Sequence, residues 1–332
     1  NKTERNYSDI EQIKNYVLPG VGYKDYLSGK SFNECDVAGT TGRDCFITYY
    51  VDLAKKKGLN YAIKDIVDAV NTGRGVTLPA VCHQVTHKLG EVAGETVYKN
   101  DMLAGLKLEP QVCATGFTHG ILTDYWSKYN NEELKAKAAT ACEDLNLAGE
   151  YYRWTCNHIL GHELVLRDEL NPGSQLRACL NIKFQKSKED CLSGGWMQFF
   201  SDDPILAMFV KVKARPSTVF GYCDKEVLES QRMCYQETFP TLIILTGADF
   251  TQMLNVCSLA KDKQDKVWCV QGVGRGIAIS NNYTTEMTTK ICNKTTGDTR
   301  DYCLAASAAS ITLNTGSTEF TYPMCKIIEA TE

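Results

Sequence analysis

The 332-residue sequence lacks three features that would assign it to common functional classes: an excess of positive charge, a long apolar run and any C-x-x-C pair. The formal net charge is -4, so no strong positive field is present to attract the phosphates of a nucleic acid. Apolar runs such as TLIIL (241–245) are far shorter than the roughly 20 residues that cross a bilayer. We therefore expect neither nucleic-acid binding nor a transmembrane segment.

Sequence signatures of several enzyme and cofactor classes are also missing. Without C-x-x-C pairs, the chain has no zinc ribbon, thioredoxin-like motif or C-x-x-C-H haem attachment site. It has no H-E-x-x-H zincin motif, no G-x-S-x-G nucleophile elbow and no P-loop. GVGRGIA (272–278) resembles part of a dinucleotide-binding glycine motif, but no predicted strand precedes it. Close helix packing is therefore the better interpretation of these glycines.

Cysteine is the most prominent residue type that is present, at fifteen in the chain. Widely spaced cysteines in this number are typical of disulfide-bonded proteins from an oxidising compartment. Four N-x-[ST] sequons, at Asn1, Asn6, Asn282 and Asn293, predict N-glycans at those residues. The sequence begins without a methionine or an apolar leader, as expected of a mature secreted protein. We predict an extracellular or cell-surface location.

The cysteine spacing indicates a repeat. From Cys142 onward, gaps of 11–14 residues alternate with gaps of 22–32 residues, and the last pairs recur with a period of about 35 residues. This period is the size of one helical hairpin in an α-solenoid. Small residues follow the second cysteine of each pair, which suits closely packed helices. The predicted fold is mainly α, made of disulfide-stapled helical-hairpin repeats in an α-solenoid-like array.

The predicted organisation has three parts. Residues 1–34 form an N-terminal arm or cap, in which 8–20 (SDIEQIKNYVLPG) is expected to be helical. Residues 35–170 form a helical region that carries all the histidines, and 171–332 form the cysteine-paired repeats. The segment 131–145 is rich in strong helix formers and is predicted as one helix.

Two disulfide pairing schemes satisfy the spacing. The first leaves Cys325 unpaired and joins Cys35–Cys45, Cys82–Cys113, Cys142–Cys156, Cys179–Cys191, Cys223–Cys234, Cys257–Cys269 and Cys292–Cys303. The second leaves Cys35 unpaired and joins Cys45–Cys82, Cys113–Cys142, Cys156–Cys179, Cys191–Cys223, Cys234–Cys257, Cys269–Cys292 and Cys303–Cys325. We favour the first because its later loops vary less in length. The odd cysteine, or chain-end contacts, could join copies into a homo-oligomer or polymer.

All five histidines lie in three motifs that each begin at a cysteine: CHQVTHKLGE, CATGFTHG and CNHILGHE. Residues four apart lie on the same helix face, so the first and third motifs each present a pair of imidazoles. The single histidine of the second motif occupies the same position after its cysteine as the last histidine of the third. A glutamate one turn after the first pair could ligate a metal or orient a ring. The predicted metal site comprises His83, His87, His119, His158, His162 and Glu91.

Imidazole ligands suit zinc, copper, iron and nickel, and thiolates are unavailable once cysteines are disulfide-bonded. The predicted cofactor is a transition metal ion, copper or zinc, with haem b less favoured. Without metal, the alternatives are a polar packing network of histidines and a metal-free catalytic site. The predicted function is metal binding by an extracellular helical repeat protein, with a redox or electron-transfer role included. Two alternatives remain: a metalloenzyme, or a structural subunit of an extracellular filament or surface layer, since a solenoid has open ends that support end-to-end contacts.

Overall fold

The computed structural model describes residues 30–37, 40–106, 113–145, 149–168, 171–201, 203–211, 214–281, 283–315 and 317–329. The helix predicted at 8–20 lies outside these residues, as do the sequon residues Asn1, Asn6 and Asn282. The described part of the chain is mainly helical and contains no strand, which confirms the mainly α prediction. Within it, no helix has the length and apolar character needed to cross a membrane.

The chain divides into two compact units, which comprise residues 1–134 with 140–160, and residues 135–139 with 161–332. The first unit contains a 3-10 turn, Cys113–Thr115, between its fifth and sixth helices. Its α-helices are α1 (Phe32–Cys35), α2 (Thr40–Lys57), α3 (Leu59–Thr72), α4 (Leu78–Thr96), α5 (Met102–Leu106), α6 (Gly116–Ser127), α7 (Asn131–Lys137), α8 (Ala141–Asp144) and α9 (Glu150–Leu166). The division falls within α7 and within α9, between Leu160 and Gly161.

The second unit continues with helices of very different length. They are α10 (Pro172–Leu176), α11 (Gln185–Ser201), α12 (Asp203–Lys211), α13 (Phe220–Cys223), α14 (Leu228–Glu237), α15 (Phe239–Leu245), α16 (Phe250–Cys257), α17 (Lys263–Ser280), α18 (Thr285–Cys292), α19 (Gly297–Thr315) and α20 (Tyr322–Glu329). Two 3-10 turns, Arg177–Asn181 and Pro216–Val219, lie between them. The apolar run 241–245 is helical and forms most of α15.

The helices that carry the second cysteine of each pair pack in chain order in the second unit: α11 against α14, α14 against α17, and α17 against α19. The glycines of 272–278 lie where α17 contacts its neighbours, including α15. A Cβ on Gly272 would collide with the backbone of Gln236, and one on Gly276 would collide with the ring of Phe239. These glycines permit close helix packing, as the sequence predicted.

The disulfides follow the first pairing scheme at all seven pairs, with Cα–Cα distances of 5.1–5.8 Å, inside the normal range for a disulfide. The second scheme is wrong, because Cys35 is bonded to Cys45. Cys325 is the cysteine left over, and it is exposed. Cys35 therefore has no thiol with which to link two copies of the chain.

The prediction of one helix over 131–145 is wrong. Residues 138–140 form a turn between α7 and α8, and Thr140 has a non-helical backbone at φ -127° and ψ -6°. Ala138 in this turn and Ala141 directly after it are buried, and Cys142 is bonded to Cys156. Burial and a disulfide here override local helix propensity.

The start of α17 carries a buried carboxyl group that should make stability depend on pH. Asp262 caps the helix by accepting hydrogen bonds from the backbone N–H groups of Gln264 (2.9 Å) and Asp265 (3.0 Å). Asp265 is almost fully buried, and burial, then repulsion from Asp262, raises the pKa of its carboxyl group. Its stabilising contribution is complete below the pKa of the unfolded chain and is lost as pH rises through the folded-state pKa.

We therefore expect Asp265→Asn to increase the free energy of unfolding at pH 7, and the increase to vanish below a pH of about 4. Urea denaturation across this pH range measures the effect. Asp298→Asn is the control, since Asp298 is exposed in an ion pair with Lys263 and should change stability by less than about 0.5 kcal/mol at any pH. Parallel stability curves for the wild type and Asp265→Asn would contradict the prediction.

Candidate metal centre

Helices α4 and α6 of the first unit cross in backbone contact, and three glycines make this approach sterically allowed. A Cβ on Gly120 would collide with the carbonyl oxygen of His87, and one on Gly90 with the carbonyl oxygen of Phe117. A Cβ on Gly116 would collide with the carbonyl oxygen of His83. The helix that carries the first two histidines therefore lies directly against the helix that carries the third.

This crossing brings three histidine rings together. The ring centres of His83 and His119 are 5.0 Å apart, and each of these rings lies 6.1 Å from His87. His83 and His87 are half-buried on α4, whereas His119 on α6 is buried. Residues distant in sequence thus form one compact imidazole cluster.

Helix α9 adds a fourth imidazole and an aromatic side chain. The ring of His158 is buried and lies 5.7 Å from that of His119. Trp154, one turn earlier on α9, stacks on His158 at 5.3 Å and 24°, and its centre is 6.5 Å from that of His119. We call His83, His87, His119 and His158 the imidazole cluster.

Hydrogen bonds determine which nitrogen of two of these rings carries the proton. His83 Nδ1 is 3.0 Å from the carbonyl oxygen of Cys113, and His87 Nδ1 is 3.0 Å from Glu91 Oε1. A carbonyl or carboxylate oxygen can only accept, so Nδ1 donates in both cases and the lone pair of each neutral ring is on Nε2. Metal-ligating histidines are typically held in this way.

The carboxylate of Glu91 therefore contacts Nδ1 of His87, the ring nitrogen that carries the proton. It also forms an ion pair with Lys88. Burial opposes its ionisation, yet its pKa is lowered, because hydrogen bonding and electrostatic attraction to His87 and Lys88 together outweigh burial. Of the two roles predicted for Glu91, this geometry favours orientation of His87 over direct ligation.

The 3-10 turn Cys113–Thr115 holds two members of the cluster. Its Cys113 carbonyl accepts from His83, and Thr115 Oγ1 is 2.8 Å from His119 Nε2. Cys113 and Thr115 both have left-handed backbones, with φ of 59° and 67°, which is uncommon for residues other than glycine. The disulfide from Cys113 to Cys82 joins this turn to α4.

Sequence reasoning did not identify Cys113 O, Thr115 or Trp154 as parts of the site. Thr115 precedes His119 by four residues and Trp154 precedes His158 by four, so the spacing of one helical turn was an available signal for both. No such signal exists for the Cys113 carbonyl, which is 30 residues from His83 in sequence.

The fifth predicted ligand, His162, follows His158 by one turn of α9 and belongs to the second unit; its role as a ligand stays a prediction. As the side chains are placed, the described part of the chain has no group of three or more His, Cys, Asp or Glu residues that could hold a metal ion. The rings of His83 and His87 are almost perpendicular to that of His119, at 85° and 89°.

Comparison with known proteins adds no relative from which a function could be transferred. No protein-family model, no curated protein and no solved structure matches the chain. The function must therefore be argued from the site itself.

Proposed function

We propose that the protein binds a transition metal ion, copper or zinc, at the imidazole cluster. One observation carries the proposal: four of the five histidines of the chain are gathered within the first unit, with ring-centre distances of 5.0–6.1 Å along the cluster. Only five histidines occur in the chain, and four of them are neighbours in a core whose buried side chains are predominantly apolar.

The spacing of the rings suits a shared metal ion. A metal-to-nitrogen distance of 2.0–2.1 Å places ring centres about 3 Å from the ion, and hence about 5 Å from each other in a tetrahedral site. For a shared ion, the rings of His83 and His87 would have to turn so that their Nε2 atoms converge with a ring nitrogen of His119. The terminal torsion of a histidine side chain is soft, so the rings can turn at modest cost, with the Nδ1 hydrogen bonds of His83 and His87 adjusting as they do.

The donor set supports copper or zinc over harder cations, because imidazole nitrogen is a borderline-soft ligand whereas magnesium and calcium prefer oxygen. Disulfide bonding occupies Cys82 and Cys113, so their sulfurs are not thiolate ligands in the oxidised chain. With copper, such a site would support one-electron transfer; with zinc, it would be structural or would hold a ligand water. Trp154 would shield one side from solvent.

The test is the metal content of natively purified protein, followed by titration of the metal-free chain with Cu²⁺ and Zn²⁺. We expect about one ion per chain and quenching of Trp154 fluorescence by Cu²⁺, because Trp154 stacks on His158. Trp154→Phe should lose most of the quenching and keep the affinity. A metal content near zero, together with no binding at micromolar Cu²⁺ or Zn²⁺, would leave the polar packing network as the correct interpretation.

A second candidate, a structural subunit of an extracellular assembly, is favoured by exposed Cys325. Every other cysteine is disulfide-bonded, and an oxidising compartment tends to pair an exposed thiol with another molecule. The seven disulfides fit that compartment, and the sequon residue Asn293 is exposed, as glycan attachment requires. The packing order of α11, α14, α17 and α19 fits the proposed repeat array.

For this candidate we expect a dimer band on a non-reducing gel that disappears on reduction. Cys325→Ser should abolish the band and leave the melting temperature unchanged, since the side chain is exposed. A monomer on the non-reducing gel at every protein concentration would contradict linkage through this cysteine.

A further inference from the structure

The Cys82–Cys113 disulfide differs from the other six. It closes a sequence separation of 31 residues, whereas the others close 10–14. Its cysteines are 6% and 9% exposed, whereas those of every other pair are at most 4% exposed. Both cysteines are buried, but they are the least completely enclosed of the fourteen paired cysteines, and access of the attacking thiolate is one of the factors that set the rate of reduction. This bond is therefore the best placed of the seven for reduction under native conditions.

The same bond lies at the imidazole cluster. Cys82 directly precedes His83, and the carbonyl of Cys113 accepts the hydrogen bond from His83 Nδ1. Thr115, two residues further along the turn, contacts His119 Nε2. The disulfide thus links Cys113, whose carbonyl orients His83, to α4, the helix that carries His83.

We propose that Cys82–Cys113 is a redox-sensitive clasp of the metal site, whose reduction weakens metal binding; this rests on the proposed function. The co-reactant is a dithiol. One of its thiolates attacks a sulfur of the clasp to form a mixed disulfide, and its second thiolate releases the cysteine. Two electrons and two protons pass to Cys82 and Cys113, which become thiols, and the dithiol becomes a disulfide.

The left-handed backbone of the turn is the reason that reduction matters. Left-handed Cys113 and Thr115 persist only while the surrounding structure holds them, and the disulfide is the covalent part of that restraint. Once it opens, the turn can relax, and His83 and His119 lose the oxygen partners that orient them. Ligands that must be ordered on binding give a lower affinity than ligands that are already positioned.

Two measurements on the full chain test the clasp. First, the folded protein is treated with increasing dithiothreitol, alkylated and mapped by mass spectrometry. We expect Cys82 and Cys113 to be alkylated at lower dithiothreitol than any of the other twelve paired cysteines. Second, Zn²⁺ affinity is measured for the wild type, for Cys82→Ser/Cys113→Ser and for the control Cys292→Ser/Cys303→Ser, which removes a fully buried disulfide of the second unit.

We expect the Cys82/Cys113 double variant to bind Zn²⁺ at least about 10-fold more weakly than the wild type, and the control to bind equally well. If the double variant fails to fold by circular dichroism, the affinity of partially reduced wild type is plotted against the fraction of Cys82 alkylated, and the same loss is expected. Earlier reduction of another disulfide, or unchanged affinity after reduction, overturns the clasp alone. Absence of Zn²⁺ and Cu²⁺ binding by the oxidised wild type overturns the proposed function instead, and the clasp with it.

Discussion

His119→Gln is expected to reduce the affinity of the chain for Zn²⁺ or Cu²⁺ by more than about 100-fold. His119 is the central ring of the imidazole cluster, at 5.0, 6.1 and 5.7 Å from His83, His87 and His158. Loss of a hydrogen-bond partner of a ligating histidine already costs about 10–100-fold, so loss of a central ligand should cost more. Isothermal titration of the metal-free protein measures the change.

A graded series makes this prediction specific. Glu91→Gln removes the charge that faces His87 Nδ1 but retains an acceptor oxygen, so we expect a loss of about 10-fold. Lys64→Gln, an exposed change in the same unit, should leave the affinity unchanged. If His119→Gln lowers the melting temperature of the metal-free chain but leaves metal affinity equal to that of the wild type, the cluster is a packing network.

Gly120→Ala is expected to destabilise the protein by about 3 kcal/mol or more. The added Cβ would collide with the carbonyl oxygen of His87 and lie 2.6 Å from the Glu91 nitrogen and 2.8 Å from the Gly90 Cα. All three atoms belong to the backbone of α4, so no side-chain rotation relieves the overlap. Helices α4 and α6 would have to separate, which would also move His119 away from His83 and His87.

Urea denaturation measures the stability loss, and metal titration of any folded fraction measures the effect on the site. Gly221→Ala is the matched control: Gly221 lies in α13, and its Cβ would have no atom within 4 Å. There the change should be neutral or stabilising by up to about 1 kcal/mol. Equal stability of Gly120→Ala and the wild type would show that the two helices can shift apart at no cost, contrary to the close crossing.

The helical class was predictable from the sequence, and the cysteine spacing reduced the disulfide pairing to two schemes, of which the favoured one is present. Six of the seven disulfides join cysteines 10–14 residues apart, so sequence spacing limits the choice of partner. The pairing of His83 with His87 likewise follows from the 3.6-residue helical turn. The glycines of 272–278 were assigned to packing because no strand preceded them, and α17 confirms it.

Tertiary contacts overrode the local helix propensity of residues 131–145. The helix formers of 131–145 do not form one helix, because Ala138 in the turn and Ala141 after it are buried and Cys142 is bonded to Cys156. Glu91 could have been a ligand or an orienting group on sequence alone. The contact between Glu91 Oε1 and His87 Nδ1 favours orientation. Helical spacing places Glu91 one turn from His87 but does not specify which ring nitrogen it contacts.

The sequence by itself determined that this is a disulfide-bonded helical protein with five histidines in one region. Only the tertiary structure decided that the rings of His83, His87, His119 and His158 lie together, and that the Cys113 carbonyl and Thr115 hold two of them. The physical reason is distance along the chain. Periodicity specifies which face of a helix a residue occupies, but the crossing of α4 and α6 depends on where glycines let two backbones touch.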